Sequence, residues 1–272
     1  MTIREQMEAL KTYQGCARRP ADFEAHWQER WALAAPKEVQ KEPAPFHNSM
    51  AVYETLTIAT GAEEIRARYL RPADGGPFPT VLLFHDLGRG VRGWHHMTRF
   101  IALGYAVLAL ENRMDAGQSV DELDAGRLER CYLDALVVAQ AALALPHTDA
   151  ARLATWGEGF GGALAVIVAA LLPMEARCAA LHLMPADFRG RNGDQAPALR
   201  SALDYLDAAN FAPLLRGSLL LGTGLLDKTA PPEGQYAVYN RAVCPKRHLV
   251  YPKYEHERIN FFENELIKFL HL

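Results

Sequence analysis

Between residues 80 and 251 the apolar positions fall in short unbroken runs, "TVLLFH", "YAVLAL", "RLATW", "AALHLM", "SLLLGT" and "RHLVY". Runs this short, bounded by turn residues, suit strands of a parallel sheet buried on both faces. The segments between them predict helices near 95–103, 127–145, 161–172, 233–242 and 257–270. Upstream the pattern differs. Alternation over 51–57 and 64–69 predicts an antiparallel hairpin. "DFEAHWQERWAL" sets Phe23, Trp27 and Trp31 at helical spacing, the mark of a helix packed through an aromatic stripe. The proline-rich "APKEVQKEPAPF" between them reads as a link.

Strand and helix in alternation argue an α/β fold, a mostly parallel central sheet with helices on both faces and an N-terminal helix and hairpin. The 272 residues, half of them apolar, fit one such domain over 1–272, with 1–45 as a helical extension and linker. The net charge of -3 gives no basic footprint, so nucleic acid is not an expected partner. No apolar run reaches the roughly 18 residues of a membrane span, so a membrane is not expected either. "MTIREQMEALKTYQ" lacks a secretory apolar stretch. Cys16, Cys131, Cys178 and Cys244 lie far apart, with no disulfide or zinc spacing. Reduced thiols in a cytoplasmic protein are the expectation.

Sheets of this kind place their chemistry beyond the carboxyl ends of the strands. There, Gly157-Glu158-Gly159-Phe160-Gly161 matches the nucleophile-elbow pattern G-x-S-x-G at every position except the serine. "GEGFGG" also satisfies the dinucleotide spacing G-x-G-x-x-G. That fingerprint, however, belongs to the first strand-helix turn and wants an acidic residue about twenty positions on. Here several strands precede it and Asp187 comes late. An elbow demands instead an acid and then a histidine further along the chain, and Asp227 and His256 follow in that order at strand ends.

These residues resemble the acetyl xylan esterase and cephalosporin-C deacetylase family, carbohydrate esterase family 7, of the α/β-hydrolase fold. The similarity runs through "DFEAHW", "YLRPADGGPFPTVLLFHD" and "ERCYLDALVVAQAALALPHTDAARLATWG". It is most specific in "LDYLDAANFAPLLRGSLLLGTGLLDKTAPPEGQYAVYN" and "PKRHLVYPKYEHE". The resemblance implies Asp227 as the triad acid and His256 as its base, with Glu257 completing a His-Glu motif. It implies Leu87 and Phe160 as oxyanion-hole amides and Arg113 as the arginine of an Arg-Gly-Gln motif, from which Met114 and Asp115 depart. Arg113 and Glu158 are then candidate substrate contacts. Gly159 falls on the serine, and Asp86 replaces a glycine. Turned inward, the Asp86 carboxylate would oppose a developing oxyanion; the sequence leaves its direction open.

The implied chemistry is hydrolysis of acetyl and other short-chain esters on small carbohydrate-like substrates, with no metal and no cofactor. With Gly159 at the nucleophile position, that activity is expected to be lost or very weak. A non-catalytic protein that binds a small ligand or partner is the alternative. Ser119 is a nearby hydroxyl better read as a turn residue or helix cap. A single serine-to-glycine change separates "GESFGG" from this elbow, while the departures at Asp86, Met114, Asp115 and Phe160 favour a broader divergence. The family's ring-shaped homo-oligomer draws on a longer insertion than the shortened cap segment at 185–203, which puts that assembly in question.

Overall fold

The computed structural model describes residues 3–61, 63–87, 93–113, 124–191 and 197–271. The strands are β1 (Glu38–Pro43), β2 (Ala51–Ala59), β3 (Glu64–Pro72), β4 (Phe78–Phe84), β5 (Ala106–Leu110), β6 (Thr148–Glu158), β7 (Arg177–Leu181), β8 (Ser218–Gly224) and β9 (Lys246–Tyr251). The helices are α1 (Ile3–Leu10), α2 (Phe23–Leu33), α3 (Trp94–Ile101), α4 (Ala125–Ala144), α5 (Phe160–Leu171), α6 (Phe188–Arg191), α7 (Pro197–Leu206), α8 (Ala208–Phe211), α9 (Pro232–Arg241) and α10 (Asn260–His271). Among the described residues the strands form one nine-stranded sheet in the order β1-β2-β3-β5-β4-β6-β7-β8-β9. From β5 to β9 every neighbour is parallel, and β1, β2 and β3 join antiparallel, β3 meeting β5.

The central strands are apolar on both faces because both are covered. Successive residues of β4 serve opposite cores: Leu82 and Phe84 face one cluster, Val81 and Leu83 the other. The first cluster takes α2, α4 and α5, with Trp27, Tyr132 and Phe160 fully buried. The second takes α3 and α10 through Phe100 and Phe262. Each such side chain contributes about 1.5–3 kcal/mol by leaving water. Helix α5, "FGGALAVIVAAL", is buried nearly end to end, so its start is held firmly against the sheet. Helix α4 opens on an Asp124 cap whose carboxylate accepts from the Arg127 amide at 2.8 Å, an interaction of about 1 kcal/mol.

Three expectations are corrected. The stretch read as a link supplies β1, registered on β2 from Glu38↔Ala59 to Pro43↔Glu54. An edge strand needs no alternating burial, and all of β1 but Val39 is exposed, so its charges hid it. The boundary at residue 45 therefore cuts across the sheet. Next, β7 ends at Leu181 rather than Met184, because His182 turns away with φ +53°. Helix α10 starts at Asn260 and not at 257; the Glu257 carbonyl is taken by His182 Nε2 at 2.8 Å. In the cap segment, Phe188–Arg191 and Pro197–Leu206 are helical. No helix among the described residues is long and apolar enough to cross a membrane.

Candidate active site

Strand β6 passes into α5 through a turn that tolerates almost nothing but glycine at its flanks. A Cβ on Gly157 would lie 1.9 Å from the Gly161 carbonyl oxygen, and one on Gly161 would lie 2.2 Å from that of Phe84. Between them Gly159 has φ +56° and ψ -122°. Its amide donates to Leu181 O at 2.8 Å, and its carbonyl accepts from Gly162 and Met184 at 3.0 and 3.1 Å. The turn therefore has the strand-turn-helix placement and close packing of an elbow, anchored on β7 and on α5.

The space above Gly159 is filled. A Cβ there would meet Asp86 Oδ1 at 2.0 Å and Asp86 Cγ at 2.2 Å. Asp86 follows β4, and its side chain turns inward, 5 % exposed. Oδ1 accepts from the amides of Leu87 and Phe160, both at 2.9 Å. These are the two amides that the resemblance implies as oxyanion donors, and they converge on an oxygen the protein itself supplies. Oδ2 lies 2.9 Å from His256 Nε2. The Asp86 carboxylate thus holds the position that a carboxylate product would take in a serine hydrolase, one oxygen on the amides and the other on the histidine.

Behind it, His256 Nδ1 meets Asp227 Oδ2 at 2.8 Å. Asp227 sits in the turn after β8 and is buried; its Oδ1 accepts from the amides of Thr229 and Ala230 at 2.9 and 2.8 Å. A second imidazole, His182, brings Nδ1 to 2.8 Å from Asp227 Oδ2, off the line of a good hydrogen bond. Burial works to raise the Asp227 carboxyl, but the rings of His182 and His256 and the Ala230 amide outweigh it and hold the group well below the usual carboxylate range. For His256, burial works downward, and the hydrogen bonds and charges of Asp227 and Asp86 overcome it, raising the imidazole to about 9. At neutral pH the centre is an imidazolium clasped by two carboxylates.

That clasp gives a signed dependence on pH. A histidine raised from 6.5 to about 9 on folding contributes stability that is complete below 6.5 and is lost as pH rises through 9. Thermal unfolding of the full chain is expected at a Tm lower by about 3–8 °C at pH 10 than at pH 7. In His256→Gln this share of the decline should disappear; parallel profiles for the two proteins would contradict the assignment.

The structure brings Gly159, Leu87, Phe160, Asp227 and His256 together around Asp86. Arg113, by contrast, makes a bidentate pair with Asp134, Nε to Oδ2 at 2.8 Å and NH2 to Oδ1 at 2.5 Å, and a further ion pair with Glu63. Glu158 lines a small cavity with His85, His96 and Arg99. Met114, Asp115 and Ser119 lie outside the described residues. An open cavity of about 800 Å³ lined by Arg152, Arg177, Arg216 and Ser218 lies at the amino ends of the strands, opposite the site. Sequence reasoning missed His182 because it ran β7 three residues too far, and it left Asp86 undirected. The available signal was paired: a carboxylate appears where a glycine is expected, and a glycine appears where a serine is expected.

His182, Asp227 and His256 present donor atoms within 4.8 Å of one another, a set of metal-ligand type. The Nδ1 atoms of His256 and His182 both meet Asp227 Oδ2 at 2.8 Å, so a cation shared by those three atoms would replace the hydrogen bond between His256 and Asp227.

A family model described as acetyl xylan esterase (AXE1) matches residues 1–194 and 187–272. The chain is similar to acetyl esterase Axe7A of Xylanibacter ruminicola, 25% identical over 297 residues that cover 92% of this chain. It spans 65% of that relative's length. Among solved structures it is similar to acetyl xylan esterase 1 from Thermoanaerobacterium sp. JW/SL YS485, with TM-score 0.84, 23% identity and 97% of each chain covered. It is also similar to an acetyl xylan esterase from Paenibacillus sp. R4, with TM-score 0.85, 20% identity, and 97% and 98% of the chains covered. With both it shares the α/β-hydrolase fold.

Proposed function

Because the chain belongs to the acetyl xylan esterase family, we propose that it is a serine-less member whose site keeps the family's place for a small carbohydrate-like ligand but does not hydrolyse acetyl esters. The observation that carries this reading is Asp86. Glycine at 159 offers no oxygen for an acyl-enzyme, and the oxyanion amides of Leu87 and Phe160 already hold Asp86 Oδ1. An ester carbonyl therefore finds neither a nucleophile nor a hole for its oxygen. In serine hydrolases loss of the nucleophile alone removes about a millionfold in turnover, and what survives comes from the oxyanion hole and binding. Here the hole is closed as well.

General-base attack by a water under His256 is disfavoured by the same geometry, since an imidazole raised to about 9 carries its proton at neutral pH and cannot take another. The three buried free thiols and exposed free Cys16 fit work in a reducing, cytoplasmic setting. The test is p-nitrophenyl acetate hydrolysis at pH 7.5 by the full chain and by His256→Ala. Both are expected to stay at buffer background. Turnover by the unaltered chain that vanishes in His256→Ala would overturn the reading in favour of an active, water-using esterase.

A further inference from the structure

The cavity at the amino ends of the strands gathers positive charge on an acidic chain. We propose that it binds a small organic phosphate monoester with an apolar body, at a site separate from the elbow. The inference goes beyond the ester reading and does not rest on it, since the two sites lie at opposite ends of the sheet.

Sheet register brings the arginines together. Arg177 opens β7 and is paired with Ala154 of β6 on one side and Ser218 of β8 on the other. Arg152 and Arg216 stand two residues before those partners, so the three come from neighbouring strand starts, about 5 Å from one strand to the next. Arg152 also lies where β6 leaves regular pairing: its five steps from Thr148 to Leu153 oppose the two steps of β4 from Phe78 to Thr80. Such an irregularity bends a strand and re-aims its side chains. Ala151 and Arg152 of this bulge are exposed and line the cavity. Burial raises the Tyr105 hydroxyl while the charges of Arg177 and Arg152 pull against it, so both guanidinium groups bear on the same lining ring.

Each guanidinium is anchored through one nitrogen. Arg152 Nε donates to Asp149 Oδ2 at 2.6 Å, Arg177 NH1 to the carbonyls of Phe269 and Leu270, and Arg216 NH2 to the Leu172 carbonyl. The other two nitrogens of each keep their N–H donors for a ligand. Tyr105 also donates to the Leu270 carbonyl, so the negative end of α10 is covered from two sides. Among the described residues that line the cavity, Glu175 is the one acid. That balance selects an oxyanion. A single guanidinium fork satisfies the two oxygens of a carboxylate, whereas a phosphate monoester offers three terminal oxygens and close to two negative charges. Three arginines from three segments match the second. Leu153, Ala154, Ala176 and Leu270 supply apolar surface for the ligand's body, and about 800 Å³ falls within the range of small-molecule sites.

The test is calorimetric titration of the full chain with phenyl phosphate at pH 7.5. One equivalent is expected to bind, about 10-fold or more tighter than inorganic phosphate or benzoate. Arg152→Gln is expected to weaken binding by about 10-fold or more, and Arg152→Gln combined with Arg216→Gln to abolish it. Glu175→Gln removes the opposing charge and is expected to tighten binding by about 2- to 3-fold, the size of an exposed charge interaction. The proposal is overturned if phenyl phosphate does not bind, or if the arginine variants, shown folded by circular dichroism, bind it as the unaltered chain does. It is equally overturned if Glu175→Gln weakens binding, or if inorganic phosphate or benzoate binds as tightly, which would mark a general anion contact or a carboxylate site. The p-nitrophenyl acetate assay remains the separate readout for the ester reading.

Discussion

Replacing Asp86 by glycine and Gly159 by serine in the same chain is expected to create an acetylesterase, while Gly159→Ser alone leaves the protein inert. The side chain of a serine at 159 begins where Asp86 Oδ1 now lies, with Cβ and oxygen only 2.0 Å apart. In the single variant the carboxylate must give up both amides and the contact with His256, and a displaced Asp86 still presents negative charge beside the forming oxyanion. Removing it empties the hole, returns Leu87 and Phe160 to a substrate oxygen, and leaves His256 with one carboxylate partner, nearer the basicity that proton abstraction needs. The elbow is otherwise ready, because Gly157 and Gly161 preserve its close packing. Rates on p-nitrophenyl acetate are expected to rise by about 10³-fold or more in the double variant, part of the roughly 10⁶ that a serine nucleophile supplies. Equal activity in the single and double variants would show that Asp86 does not compete for the site.

The largest effect on stability is expected at Trp27. Its ring is fully buried, packed on Phe211 at 5.1 Å and Tyr132 at 6.1 Å between centroids, and its Nε1 donates to Tyr205 O at 2.9 Å. Truncation to alanine leaves a cavity among aromatic rings and takes the indole donor away from Tyr205 O. Trp27→Ala should cost about 3–5 kcal/mol, lowering the Tm by about 8–15 °C. Denaturant unfolding followed by circular dichroism checks this; a loss under about 1 kcal/mol would mean that α2 is not integrated into the core. The neighbouring Trp31 only borders that cluster, partly buried, so Trp31→Ala serves as the milder comparison.

Much of this architecture was legible because two-sided burial leaves an unmistakable trace. The runs that became β4 to β9 are apolar since helices cover both faces, and the elbow glycines are visible since no side chain fits there. The order Asp227 then His256 pointed to residues that the fold brings within 2.8 Å of each other. What stayed hidden was governed by less local physics. Strand β1 has almost no buried face, so no hydrophobic rhythm announces it. His182 lies at a strand end whose position depends on a left-handed residue in a run that otherwise looks extended. The direction of Asp86 was undecidable from its own neighbours, because the atoms that capture it belong to Phe160 and His256, 74 and 170 positions away.

Shared occupancy at the elbow also constrains history. A serine at 159 and an inward carboxylate at 86 exclude one another from the same few cubic ångströms. A chain that carries both at once must therefore displace one of them. Reversion at position 159 alone restores nothing that selection could favour until position 86 has also changed. The two positions are therefore coupled: what a side chain at 159 can do is set by what stands at 86.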